Sequence, residues 1–245
     1  MKIKAIVFDK DGTLVDFEKF WLPIAKYATE YVFRESGVDF QRVDNHLCEL
    51  GIRNGIADIR GALAMGDHRG IIDLLHKEIL ASGIDMSWEK AAELMICGYG
   101  GDSKKFGVVA PTTDNIRDIL ESLRDKGIRL ALITSDEIRG AELCLDKLGI
   151  RDLFDKILAA DNRVPAKPDP YFMNLFRDEF GYSREEVLMV GDTDTDIMFA
   201  KNSGVFSVGV GKTEQNRKHL ASVGANATMA DLSGIIRLID ELDSE

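Results

Sequence analysis

Apolar residues in this chain fall into two registers. "KIKAIVF" (2–8), "IRLALI" (128–133), "DKILAA" (155–160), "EVLMV" (186–190) and "VFSVGV" (205–210) are short, near-continuous apolar or β-branched runs, the pattern of strands buried on both faces. From residue 113 onward they alternate with segments in which apolar positions recur at three and four residues: "DNIRDILESLRDKG", "DEIRGAELCLDKLG", "DPYFMNLFRDEFG", "DTDIMFAKNSG" and the closing "DLSGIIRLIDELD". That spacing predicts amphipathic helices. Four of them stop at a glycine (Gly127, Gly149, Gly181 and Gly204), the residue that a left-handed helix cap favours. Strands alternating with helices of this length predict an α/β fold, a doubly wound parallel sheet with helices on both faces.

Residues 17–107 break the alternation. Helical spacing dominates in "FEKFWLPIAKYATEYVFRESG", "RGIIDLLHKEILASG" and "WEKAAELMICG", and no convincing strand lies between them. The expectation is therefore a core built from residues 1–15 and 110–245, with an all-helical cap domain, residues 16–109, inserted after the first strand. "VDF" at 15–17 reads as the outgoing linker, and "GYGGDSKKFG" followed by "VVAPTT" as the return. Two linkers entering one insertion predict a hinge.

Composition narrows the possible partners. With 45% apolar residues in 245 the chain can bury a sizeable core, and a net charge of -11 argues against a nucleic-acid surface. An anionic substrate must then be held by a few placed cations. Cys48, Cys97 and Cys144 lack C-x-x-C spacing and read as buried thiols in a reducing compartment. The apolar run before Asp9 is too short for a signal peptide or a membrane span, so a cytoplasmic protein, monomer or homodimer, is expected.

In an open parallel sheet, ligands bind outside the carboxyl ends of the strands. Past the first strand stand Asp9 and Asp11; past the second, Thr134, Ser135 and Asp136; past "EVLMV", Asp192, Asp194 and Asp196 in "GDTDTD". Lys167, in "PAKPDP", lies in the loop after the third strand. If the sheet is parallel, these groups face one crevice, and so many carboxylates repel unless a hard cation sits among them. Magnesium meets that need, and because it keeps waters and accepts phosphate oxygens, the site implies a small phosphate ester as partner. Asp194 reads as a first-turn helix residue rather than a ligand. "GVGKT" at 209–213 fails as a phosphate-binding loop, since Phe206 stands where that motif needs glycine.

In order along the chain, "DKDGT", an apolar strand ending in threonine, a lysine before proline and "GDTDTD" resemble the four motifs of the haloacid dehalogenase-like hydrolases, in particular the phosphatases with a helical cap after the first motif. The resemblance implies that Asp9 is the nucleophile and that Asp11 protonates the leaving alcohol and then deprotonates water. Gly12 and Thr13 would shape the turn that meets the substrate, Thr134 and Ser135 would bind the phosphoryl group, and Lys167 would offset its charge. Asp9, the Asp11 carbonyl and Asp192 would hold Mg2+, with Asp196 orienting them from behind. Closure of the cap would exclude water and select the leaving group.

"FDKDGTLVD", "GIRLALITSD" and "KPDPYFM" together are most similar to the phosphoglycolate phosphatases. The alternative is a phosphosugar mutase of the β-phosphoglucomutase type, whose members usually carry Glu-Asp where this chain has Gly191 and Asp192. In the cap, Arg53, framed by Gly51 and Gly55 in "GIRNG", is the candidate for a second anionic group of the substrate; Arg60, His68 and Arg69 read as solvated.

Overall fold

The computed structural model describes residues 2–159 and 165–244; Ala160, expected to end the third strand, lies outside them. The chain divides into two compact units, Met1–Asp16 with Val109–Glu245, and Phe17–Val108. In chain order, strand β1 (Ala5–Phe8) precedes the second unit, which holds helices α1 (Phe17–Ser36) and α2 (Val43–Glu49), strands β2 (Ile52–Arg53) and β3 (Ile56–Ala57), and helices α3 (His68–Ala81) and α4 (Trp88–Tyr99). The first unit is then completed by α5 (Ile116–Asp125), β4 (Arg129–Thr134), α6 (Ile138–Lys147), β5 (Lys156–Ala159) and α7 (Tyr171–Phe180). After these come β6 (Val187–Gly191), α8 (Asp194–Ser203), β7 (Phe206–Val210), α9 (Glu214–Val223), β8 (Ala227–Met229) and α10 (Ile235–Ser244).

Six strands of the first unit form one sheet in the order β5-β4-β1-β6-β7-β8, parallel at every pairing. Side chains along a strand alternate between faces, and here both faces are apolar and covered. Ile6, Phe8, Leu130, Leu132, Leu188 and Val190 pack against Leu120 of α5, Leu145 of α6 and Ile239 of α10. Ala5, Val7, Ala131, Ile133, Val187 and Met189 pack against Phe172 and Phe176 of α7 and Phe199 of α8. This is the doubly wound sheet expected from the continuous apolar runs. The predicted glycine stops also hold: Gly127, Gly149, Gly181 and Gly204 all have φ between 68° and 80°.

The chain visits β4 and β5 on one side of β1, then β6, β7 and β8 on the other. Strand order therefore reverses at β1, the place where an open α/β sheet leaves a crevice beyond its carboxyl ends.

The second unit has its own core, in which Ala25, Phe33, Leu47, Leu75, Ile79 and Met95 join helices α1 to α4. One feature departs from an all-helical insertion. Strands β2 and β3 pair antiparallel about Asn54 and Gly55, whose φ values of 52° and 74° are those of a two-residue hairpin turn. The thiols also differ from expectation: Cys144 is buried, Cys48 is half-buried and Cys97 is exposed on α4. Among the described residues, no helix is long and apolar enough to cross a membrane.

Candidate active site

Three carboxylates converge just beyond the strands that meet at the reversal point. Asp9 follows β1, Asp192 follows β6 and Asp196 lies in the first turn of α8; one oxygen of each lies within 4.8 Å of the others, and all three side chains are buried. The strand register brings this about: Phe8 stands opposite both Leu132 and Val190, and the Asp9 N–H donates to the Val190 carbonyl at 2.9 Å.

Two glycines make room for the carboxylates. A Cβ on Gly12 would stand 2.0 Å from Asp192 Oδ2, and Gly12 has φ +84°. At Gly191 an added Cβ would meet the Asp196 Cβ at 2.2 Å. The Thr13 hydroxyl, wholly buried, donates to Asp192 Oδ1 at 3.1 Å and so aligns that carboxylate.

Asp196 is committed at both oxygens. Its Oδ2 accepts from the Thr193 hydroxyl (2.7 Å), the Thr193 N–H (3.1 Å) and the Asp192 N–H (3.3 Å), a capping box at its own helix terminus. Its Oδ1 accepts from Lys167 Nζ at 2.6 Å, and the same ammonium donates to Asp9 Oδ1 at 2.5 Å. Lys167 is thus held between Asp9 and Asp196. Burial opposes its charge, but the two carboxylates outweigh burial and keep its pKa above the ordinary lysine value.

One lysine does not balance the site. Burial, aided by Asp196 and Asp11 and opposed by Lys167, raises the Asp9 pKa to about 7. Burial, then Asp196 and Asp9, lifts Asp192 well above the usual carboxylate range. A cluster of oxygen donors that resists its own ionisation is the environment a hard divalent cation relieves, so the donor set fits such an ion.

The other expected residues gather nearby or stand apart. Thr134 ends β4, is buried and accepts the Asp136 N–H at 3.1 Å, while Ser135 beside it is exposed. Asp11, two residues beyond Asp9, keeps 18% exposure of its side chain. Asp194 turns to His219 of α9, 2.7 Å away. Arg53 is exposed on the hairpin of the second unit. Sequence reasoning passed over Lys10. It is wholly buried and pairs with Asp11 at 2.8 Å and Asp136 at 3.0 Å; burial works against its charge, yet the carboxylates hold its pKa above the ordinary value. A lysine between two acids at the end of an apolar strand was the available signal.

The sequence pattern of the haloacid dehalogenase-like hydrolases matches residues 3–204. The chain belongs to that family. This haloacid dehalogenase-like phosphatase is 27% identical over 237 residues to the phosphoglycolate phosphatase of Vibrio cholerae, an alignment covering 97% of each chain. It is 30% identical over 240 residues to the phosphoglycolate phosphatase of Pseudomonas fluorescens, covering 95% of this chain and 78% of that one. In three dimensions it is similar to the crystal structure of a predicted phosphoglycolate phosphatase from Haemophilus somnus, with a TM-score of 0.72, 19% identity and coverage of 97% and 98% of the two chains.

Proposed function

We propose that this phosphatase hydrolyses a small phosphomonoester through an aspartyl-phosphate on Asp9, with magnesium as its metal and phosphoglycolate as its substrate. The observation that carries the reading is the convergence of Asp9, Asp192 and Asp196 with Lys167 bonded between two of them. An Asp9 carboxylate attacks phosphorus; the ester P–O bond breaks, its electron pair leaves with the alcohol oxygen, and that oxygen takes a proton from Asp11. Water, giving its proton to Asp11, then attacks phosphorus, and the Asp9–phosphorus bond breaks with its pair returning to Asp9. Thr134 and Ser135 hold phosphoryl oxygens, and Lys167 offsets their charge against Asp9. A magnesium ion held by the Asp9 and Asp192 carboxylates and the Asp11 main-chain carbonyl would supply the positive charge that keeps Asp9 ionised beside an anionic substrate.

The substrate assignment leans on the two relatives named phosphoglycolate phosphatase over nearly the whole chain. We assign to Arg53, exposed and framed by a tight hairpin, recognition of the substrate's carboxylate. The mutase alternative is disfavoured at position 191: with a Cβ there 2.2 Å from Asp196, a glutamate does not fit this turn. The test is release of inorganic phosphate from a panel of small phosphate esters, with Mg2+ and with chelator, by wild type and Asp9→Asn. We expect Mg2+-dependent release, with 2-phosphoglycolate foremost, and none from the variant. Activity surviving in Asp9→Asn, or isomerised sugar phosphate without free phosphate, would overturn the reading.

A further inference from the structure

Lys10 occupies the one position between the two acids of the first motif, and its geometry is unusual for a lysine. Its side chain has no exposure, whereas that of Asp11 keeps 18%. Nζ donates to Asp11 Oδ1 at 2.8 Å and pairs with Asp136 Oδ2 at 3.0 Å. Asp136 is itself held: its Oδ1 accepts the Glu137 N–H at 2.8 Å, and its own N–H donates to Thr134 Oγ1 at 3.1 Å. Strands β1 and β4 are hydrogen-bonded neighbours in register, so the segments leaving them start side by side. Through its ammonium, Lys10 joins the segment carrying Asp11 to the segment carrying Thr134 and Ser135. Burying a charge is expensive unless it is paired, and space alone would be filled as well by an apolar side chain of the same length.

We propose that Lys10 is a positioning residue that clamps Asp11 Oδ1 against the β4 segment through Asp136 and so fixes where the Asp11 carboxyl meets the ester oxygen. The clamp sets the distance between the proton carrier and the hydroxyls that hold the phosphoryl group. This inference rests on the phosphatase reading above. In the first step the ester P–O bond breaks with its electron pair on the alcohol oxygen, and the proton on the Asp11 carboxyl passes to that oxygen. Misplacing the Asp11 carboxyl therefore harms departure of a strongly basic alkoxide far more than departure of a phenolate that is stable as an anion.

The experiment compares kcat/KM for 2-phosphoglycolate with that for 4-nitrophenyl phosphate in wild type, Lys10→Met, Asp136→Asn and Asp9→Asn. Because kcat/KM covers only steps through leaving-group departure, later hydrolysis of the intermediate does not blur the comparison. For Lys10→Met we expect roughly a 100-fold fall on the alkyl ester and a fall below about 3-fold on the aryl ester. With the aryl ester we further expect a burst of nitrophenol, because hydrolysis of the intermediate also needs a well-placed Asp11. Asp136→Asn shows the same split, smaller in size, and decides the matter if Lys10→Met does not fold. An equal fall on both esters, or no fall on either, overturns the clamp. If Asp9→Asn stays active, the phosphatase reading has failed; if it is inactive while Lys10→Met shows no split, the clamp alone has failed.

Discussion

At the scale of single residues, the site depends as much on what is missing as on what is present. Gly12 sits where any side chain would strike Asp192: an added Cβ stands 2.0 Å from Oδ2 at a φ of +84°. Gly127 has a similar φ, +80°, but open space around it. The two positions separate backbone strain from collision. Gly127→Ala should cost on the order of 1–2 kcal/mol of stability from the left-handed backbone and leave phosphate release near wild type. Gly12→Ala carries the same cost and in addition displaces Asp192, so a fall in activity of about 100-fold or more is expected, read by phosphate release beside a thermal melt. Asp9, Asp11 and Asp192 were legible in the sequence because each follows an apolar run whose end defines the crevice. The order of residues marked Lys10 and Gly191 as positions but not their parts in the site, since neither the burial of that lysine nor the closeness of Asp196 to the Gly191 backbone can be read from it.

At the scale of elements, legibility followed apolar content. The four central strands β1, β4, β6 and β7 announce themselves as continuous runs because both of their faces are buried. Strand β8, three residues long with every one half-buried, has too little apolar length to stand out, and α9 buries only Leu220, so neither was anticipated. The hairpin of β2 and β3 was missed for its brevity, although Asn54-Gly55 is the dipeptide that favours such a turn. Helix α2 was likewise passed over, and it carries a titratable group with consequences. His46 is buried, with Nδ1 lacking a hydrogen-bond partner and the Phe33 ring 5.7 Å away. Burial lowers its pKa from 6.5, against the pull of Glu78 on α3 and Glu49 on α2, and Glu78 is itself paired with Arg42. A histidine with a depressed folded pKa binds fewer protons folded than unfolded, so its stability is intact above 6.5 and lost progressively as pH falls below it. Both tryptophans, Trp21 on α1 and Trp88 on α4, lie in this unit. The tryptophan-monitored melting temperature should therefore fall between pH 7 and pH 5, and the slope should flatten in His46→Leu.

At the scale of the whole molecule, the two units should respond to acid in opposite senses, and the reason lies in the placement of charge. A net charge of -11 makes any further crowding of carboxylates unfavourable, yet the first unit buries Asp9, Asp192 and Asp196 together. Asp9, with its pKa raised to about 7, and Asp192, raised well above the usual range, bind more protons folded than unfolded. Their contribution to stability is full below the unfolded carboxylate value of 3.8 and is lost as pH rises through about 7 for Asp9. Without metal, then, the first unit weakens toward alkaline pH while the second weakens toward acid. A bound cation reverses the first trend, because it stabilises the ionised cluster by mass action, about 2.7 kcal/mol at a hundredfold excess over its dissociation constant. Calorimetry at pH 8 should show the transition of the first unit rising with added Mg2+, and rising less at pH 5. Asp192→Asn sharpens the expectation, since the amide keeps an oxygen for the Thr13 hydroxyl but removes one of the repelling charges. The metal-free variant should melt above metal-free wild type at pH 8, gain little from Mg2+ and release no phosphate. A variant that melts lower without metal, or still climbs with Mg2+ as wild type does, would place the cation elsewhere than on Asp9 and Asp192.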